Sequence, residues 1–310
     1  MKIVKIVGLS LAVLAIVLVL FGLVFDRLVS PRAVVEYPPQ GRIVDIDGVQ
    51  THVVCSGQGE TVVVLFHGFG GGAIDLLPLM EVLQRSFRVC SFDRPGNDYA
   101  SPMPKGWTIQ DALAWQNRVI QSLGISAPLI AGHSLGGAFA LAYAAEYPAA
   151  GVILLDGLSP EIADTVVARM GSYSGLIFPA WAGLLRPMAG AFISPDYVSF
   201  DQDLAEQMKA LRSRSRTIVG YAKEGSLAAQ GLGTTALHSA VSRLEVPLLL
   251  LVSEKTDVPE GTPFTHSLLA LKDEYGNSTV VTIPHARHYA IVTHAELIGV
   301  SIEQWIMNRL

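Results

Sequence analysis

The chain of 310 residues has only two cysteines, Cys55 and Cys90, and only 16% of its residues are charged. Two cysteines exclude a disulfide-dense scaffold and the multi-cysteine zinc sites. With 22 Lys and Arg against 27 Asp and Glu, the formal net charge is −5 and no basic stripe forms, which points away from nucleic acid as a partner. The glycine-rich stretch at 68–72 lacks the Lys-Ser/Thr of a phosphate-binding loop, and no H-E-x-x-H pattern accompanies the histidines, so neither a nucleotide nor a metal is called for. In compensation, 50% of the residues are apolar, enough for a large core and against disorder.

Charge is also missing from one long run, Ile6 to Phe25. As a helix it would rise about 30 Å, the thickness of a bilayer hydrocarbon core. It is longer than the apolar region of a signal peptide and no A-x-A site follows it. Residues 1–29 therefore read as an uncleaved, single-pass anchor. Lys2 and Lys5 hold the N-terminus in the cytoplasm and place the remainder outside it. Residues 30–40, with three prolines, read as a stiff linker.

From residue 41 onward strand and helix patterns alternate. "RIVDIDGVQTHVVCSG" reads as two strands joined at Asp47-Gly48, and "TVVVLFHG" (61–68) and "FRVCSFD" (87–93) as buried strands. "DLLPLMEVLQ" reads as a helix between them, and Thr108 with Asp111 as the capping box of the next. The strands "APLIAG", "GVILLD", "VPLLLLV" and "STVVTI" follow, and Thr293 with Glu296 reads as the capping box of a last helix. The alternation stops between residues 157 and 245. The pattern implies an α/β sheet, mostly parallel, with helices on both faces and an inserted helical cap.

One motif asks for chemistry. Gly132-His133-Ser134-Leu135-Gly136 fits G-x-S-x-G, in which the serine occupies a strained turn between a strand and a helix. Serine is a weak nucleophile and needs a base that is itself held by an acid. In the order Ser, acid, His, Asp257 follows the penultimate strand and His288 the last one. Asp156 and Glu254 are the reserve acids, and His285 is the reserve base. Leu135 N–H and Phe69 N–H, the latter in "HGFGGG", are the expected oxyanion donors. His67 reads as support for that loop.

"LFHGFGG", "FDRPG" and "AGHSLGG", with the placement of Asp257 and His288, resemble the α/β-hydrolase superfamily over residues 41–156 and 246–310. More narrowly, "YPPQGRIVDIDG", "HVVCSGQG" and "RVCSFDRPG" are similar to a bacterial group of membrane-anchored or exported hydrolases. The resemblance implies an eight-stranded sheet whose cap, residues 157–245, lies between core parts 41–156 and 246–310. It also makes the strands of Cys55 and Cys90 antiparallel neighbours, so export leads to the expectation of a disulfide between them. Two positions depart from the family pattern. "NDYAS" follows "DRPG" where another glycine and a serine are usual, and Glu254 stands where a glycine is usual.

The expected activity is hydrolysis of a carboxylic ester, lipid-like esters included, through Ser134, His288 and Asp257, without cofactor or metal. Amide, thioester or C–C bond hydrolysis is the alternative chemistry, and a catalytically silent binding protein the alternative class. Within the cap, "GLIFPAWAGLLRPMAGAF" (175–192) reads as ordinary cap core or as an acyl-chain wall, and "RSRSR" (212–216) as a solvated helix edge.

Overall fold

The apolar runs become the strands of one sheet in the computed structural model, which describes residues 2–176, 200–255 and 264–309. The strands are β1 (Arg42–Ile46), β2 (Val49–Ser56), β3 (Val62–Phe66), β4 (Arg88–Phe92), β5 (Leu129–His133), β6 (Gly151–Leu155), β7 (Leu248–Ser253) and β8 (Ser278–Ile283). Their order is β1-β2-β4-β3-β5-β6-β7-β8. Only β2 runs against its neighbours, pairing antiparallel with β1 and with β4. All other pairs are parallel.

Alternation along each central strand divides two cores. Val64, Phe66, Ile130, Val152 and Leu250 face one side, whereas Val63, Leu65, Ala131, Ile153 and Leu251 face the other. A strand apolar at every position is what burial on both faces demands. On the first side lie α3 (Ile109–Ser122), α4 (Leu135–Ala144) and α9 (Phe264–Glu274). On the second lie α2 (Leu77–Leu83), α10 (Ala290–Thr293) and α11 (Ala295–Met307). Successive strands leave β3 in opposite directions, β4 to one side and β5 to the other, and ligands bind outside the strand ends at such a switch point.

The interruption in the pattern is helical among the described residues. It comprises α5 (Pro160–Ser172), a 3-10 turn (Tyr173–Leu176), α6 (Gln202–Arg212), α7 (Ser215–Gly231) and α8 (Thr234–Val241). Apart from Gly175 and Leu176, the stretch 175–192 lies outside the described residues.

Several local expectations meet the structure differently. Thr108 and Asp111 close their reciprocal box, with Asp111 N–H donating to Thr108 Oγ1 at 3.3 Å and Thr108 N–H to Asp111 Oδ2 at 2.9 Å. Thr293 and Glu296 do not. The last helix starts at Ala295 after a separate short turn, Thr293 Oγ1 donates to Tyr289 C=O, and Glu296 pairs with Arg85 instead. Pro78 sits in the first turn of α2, where its missing N–H costs nothing, and a 3-10 turn over Ala73–Leu76 leads into it. The first helix, α1 (Lys2–Glu36), continues through Pro31, so only residues 37–40 of the expected linker are irregular. Its stem touches the cap: Ser215 N–H donates to Asp26 Oδ1 at 3.2 Å, and Ala33 is buried.

"RSRSR" is no solvated edge. Arg212 and Arg214 are 4% and 1% exposed, because the segments after β3 and β4 supply acceptors for them. Arg212 forks onto both Asp75 and Asp98, while Arg214 and Arg216 reach the carbonyls of Asp98 and Ala100.

Cys55 and Cys90 face each other directly across the β2–β4 ladder, with Cα atoms 4.1 Å apart, and form a disulfide. The bridge spans 35 residues of sequence, for which the chain-entropy relation gives about 3–4 kcal/mol. Protein isolated from its native compartment should yield no alkylatable thiol until it is denatured and reduced. The Cys55→Ser/Cys90→Ser double variant should lose stability of that order in urea unfolding. Two reactive thiols before reduction would contradict the bridge.

Candidate active site

Ser134 stands between β5 and α4 with φ +53° and ψ −123°, a conformation that serine adopts only when the surroundings impose it. The neighbours supply that constraint. A Cβ on Gly132 would lie 2.1 Å from Gly136 C=O, and one on Gly136 would lie 2.2 Å from Phe66 C=O. Only glycine lets strand, turn and helix approach this closely. The turn is closed by Gly137 N–H and Leu158 N–H, which donate to Ser134 C=O at 2.9 and 2.7 Å. The side chain thus stands over the carboxyl edge of the sheet, at the N-terminus of α4.

The loop that follows β3 passes beside it. The Cβ position of Gly68 is 3.4 Å from Ser134 Cβ. His67 Nε2 accepts from Arg94 N–H at 3.0 Å, so its proton is on Nδ1, which donates to Gly68 C=O at 2.8 Å. Burial first, and then the Arg94 charge, hold His67 well below the ordinary histidine value. It is a neutral brace for the loop, as expected. Phe69 follows, its ring stacked on Tyr173 at 5.8 Å. Among the described residues, the N–H groups of Phe69 and Leu135 donate to no partner.

His288 is 7% exposed, in the segment between β8 and α10. Its ring centroid lies 4.7 Å from that of His133 and 5.3 Å from that of Phe264. His133 Nε2–H donates to His288 C=O at 2.9 Å and so fixes the backbone at His288. Burial, with the His288 charge second, pushes His133 down to about 3.

Among the described residues, the carboxylate facing His288 is that of Asp156, whose Oδ2 lies 3.7 Å from His288 Nδ1. Asp156 follows β6 at φ +45° and is buried, and its Oδ1 accepts from Ser253 N–H at 2.7 Å. Burial alone would raise its pKa, but the His288 imidazole and the Ser253 N–H outweigh that and bring it below the usual carboxylate range. The gap of 3.7 Å exceeds a hydrogen bond, and a small cavity lined by Asp156, Ser253 and His288 adjoins the pair. Asp257, the expected acid, lies outside the described residues.

The other reserves sit elsewhere. Glu254 accepts from His285 N–H at 2.6 Å, and their side chains, 47% and 80% exposed, pair with each other at the surface. Sequence reasoning passed over Arg94 and Glu224. Arg94 lies inside the quoted "FDRPG", but nothing in the sequence ties it to a glutamate 130 residues later. The departures after "DRPG" do meet the cap. Asn97 Nδ2 donates to Glu224 Oε1 at 3.1 Å, and Asp98 receives Arg212.

The family model described as alpha/beta hydrolase fold matches residues 61–295. A curated relative, the (E)-2-((N-methylformamido)methylene)succinate hydrolase of Acinetobacter baylyi, is 24% identical over 82% of this chain and 93% of its own length. The dihydrolipoyllysine-residue acetyltransferase component of the acetoin cleaving system of Cupriavidus necator is 32% identical over 34% of this chain, a match that spans only 28% of that protein. Among solved structures, the enol-lactonase of Burkholderia xenovorans LB400 superimposes with a TM-score of 0.68 at 17% identity, covering 86% of this chain and 100% of that one. With its eight-stranded, mostly parallel sheet and the serine elbow at the strand edge, this chain belongs to the α/β-hydrolase fold family.

Proposed function

We propose that this hydrolase cleaves carboxylic esters through a seryl acyl-enzyme, with Ser134 as nucleophile, His288 as base and Asp156 as the acid that orients it. The strained Ser134 turn, set against the Gly68–Phe69 peptide and the His288 ring system, is the observation that carries this reading. Ser134 Oγ adds to the ester carbonyl carbon while His288 takes its proton. The carbonyl electrons move onto oxygen, where the N–H groups of Phe69 and Leu135 receive the charge. Collapse expels the alcohol, protonated by His288. A water activated by the same imidazole then releases the acid and restores Ser134.

The surroundings suit this cycle. His133 and His67 stay neutral, so no second cation opposes the imidazolium that forms at each step. The Asp156 carboxylate stabilises that imidazolium. The aromatic rings of Phe69, Tyr173 and Tyr221 beside the oxyanion donors favour an apolar acyl group.

We also propose that α1 tethers the domain to a membrane, with the catalytic part on the oxidising side. Its apolar window has a mean hydropathy of 3.0 and is only 6% buried. The Cys55–Cys90 bridge supports that placement, since such bridges persist outside the cytosol. Detergent, but not alkaline carbonate, should release the native protein from membranes; release by carbonate contradicts the tether.

Ser134→Ala and His288→Ala should each lower kcat on a p-nitrophenyl ester by roughly 10⁴-fold or more. Asp156→Asn should fall by at least about 10²-fold, and further than Asp257→Asn. An inactive Asp257→Asn beside an active Asp156→Asn would reassign the acid.

The histidine pKa values set a second expectation. His133 titrates near 3 in the folded chain against about 6.5 unfolded, so the unfolded chain binds an extra proton between those values. Stability from this group is complete above pH 6.5 and is lost as pH falls, by about 1.4 kcal/mol per unit. His133→Gln keeps a donor for His288 C=O but cannot titrate. Its unfolding free energy should therefore fall less steeply than that of the wild type between pH 6.5 and 5, by about that slope. Equal slopes in urea titrations would contradict a neutral His133.

A further inference from the structure

The loop 67–72 has no ladder partner, so its peptide groups must find others. The peptide that carries the Phe69 N–H ends in the Gly68 carbonyl. That oxygen accepts from Arg94 Nη2 at 2.7 Å, His67 Nδ1 at 2.8 Å and Gly71 N–H at 3.3 Å. In a trans peptide the C=O and N–H point in opposite directions, so holding the oxygen aims the hydrogen. The donors also polarise the peptide and strengthen its N–H. The next peptide ends in the Gly70 N–H, which donates to Glu224 Oε2 at 2.8 Å. Both peptide planes flanking Phe69 are thereby fixed, one by Arg94 and the other by Glu224.

Glu224 also fixes Arg94. Its Oε1 accepts from Arg94 Nε at 2.6 Å and from Asn97 Nδ2 at 3.1 Å, and Arg94 Nη1 donates to His67 C=O at 2.7 Å. Glu224 is 1% exposed and stands on α7, a helix of the cap. Tyr221, one turn earlier on the same helix, packs its ring against Gly70. We propose that Glu224 is a positioning residue for the oxyanion hole: through the Gly70 N–H and the Arg94 guanidinium it sets the direction of the Phe69 N–H. The cap is then a working part of the catalytic apparatus as well as a cover over the substrate. This rests on the serine-hydrolase reading of Ser134.

Glu224→Gln tests it with little change of shape. Whichever way the amide turns, its NH₂ meets a donor, either Gly70 N–H or the Arg94 and Asn97 pair, so one plane loses its hold. A fluorophosphonate titration of Ser134 first counts competent sites, and kcat is expressed per titrated site. The expected result is a fall in kcat of roughly 10- to 100-fold. KM should stay within about twofold, as for an interaction felt in the transition state. Affinity for a trifluoromethyl ketone, whose adduct with Ser134 places an oxyanion in the hole, should fall by the same factor as kcat/KM. Glu224→Asp keeps the charge toward Arg94 but withdraws the carboxylate by one methylene, and should show a smaller version of the same split. It serves as the test should Glu224→Gln fail to fold. Full titration with unchanged kcat and ketone affinity in the folded variant overturns the proposal alone, as does a change confined to KM. Wild-type protein that takes no label at Ser134 overturns the hydrolase reading and this proposal with it.

Discussion

Backbone contact between β5, α4 and the end of β3 is the constraint from which the site follows. With Gly132 against Gly136 C=O and Gly136 against Phe66 C=O, no side chain fits between these elements. That contact holds Ser134 at a positive φ and brings the loop after β3 alongside it. The two N–H groups proposed as oxyanion donors then come from opposite sides of one junction, Leu135 at the helix start and Phe69 in the loop. Asp156 and His288 reach the same edge because β6 and the end of β8 deliver them there, in parallel register with β5 through β6 and β7.

Charge is scarce in the sequence, and a small part of it lies buried where the core meets the cap. Arg94 pairs with Glu224, and Arg212 with Asp75 and Asp98, at exposures of 5% or less. Buried pairs of this kind add little net stability over apolar packing, but removing one partner leaves a charge stranded at a cost of about 3–5 kcal/mol. Such pairs therefore specify where the cap docks more than they strengthen the docking. Asp75 accepts from Gly72 N–H and Asp93 from Ala73 N–H, so the same network ties down the far end of the loop 67–72. An apolar interface could slide by a fraction of an ångström; directional pairs hold one register.

The core was legible because both of its signals are local. Continuous apolar runs marked the buried strands, and the glycine spacing around Ser134 marked the elbow. The cap was not legible in the same way. "RSRSR" looks like a water-facing edge because the sequence shows three cations and not the acceptors at Asp75, Asp98 and Ala100, more than a hundred residues earlier. Glu224 carried no local signal either, since its partners Gly70 and Arg94 come from separate loops. Asp156 and Asp257 both follow strands, and the sequence carries no distance to His288; the structure places Asp156 3.7 Å from it, while Asp257 lies outside the described residues. Thr293 and Glu296 had capping spacing, but the chain restarts its helix at Ala295 and gives Glu296 to Arg85.

The most direct test of the account is to trap the intermediate. The wild-type protein would be turned over on a p-nitrophenyl ester, quenched in acid within milliseconds, digested and mapped by mass spectrometry. The account predicts the acyl mass on the peptide carrying Ser134, on that residue alone, and no acylation in Ser134→Ala. Steady ester hydrolysis with no acylated peptide, or with the acyl group on another side chain, would contradict it.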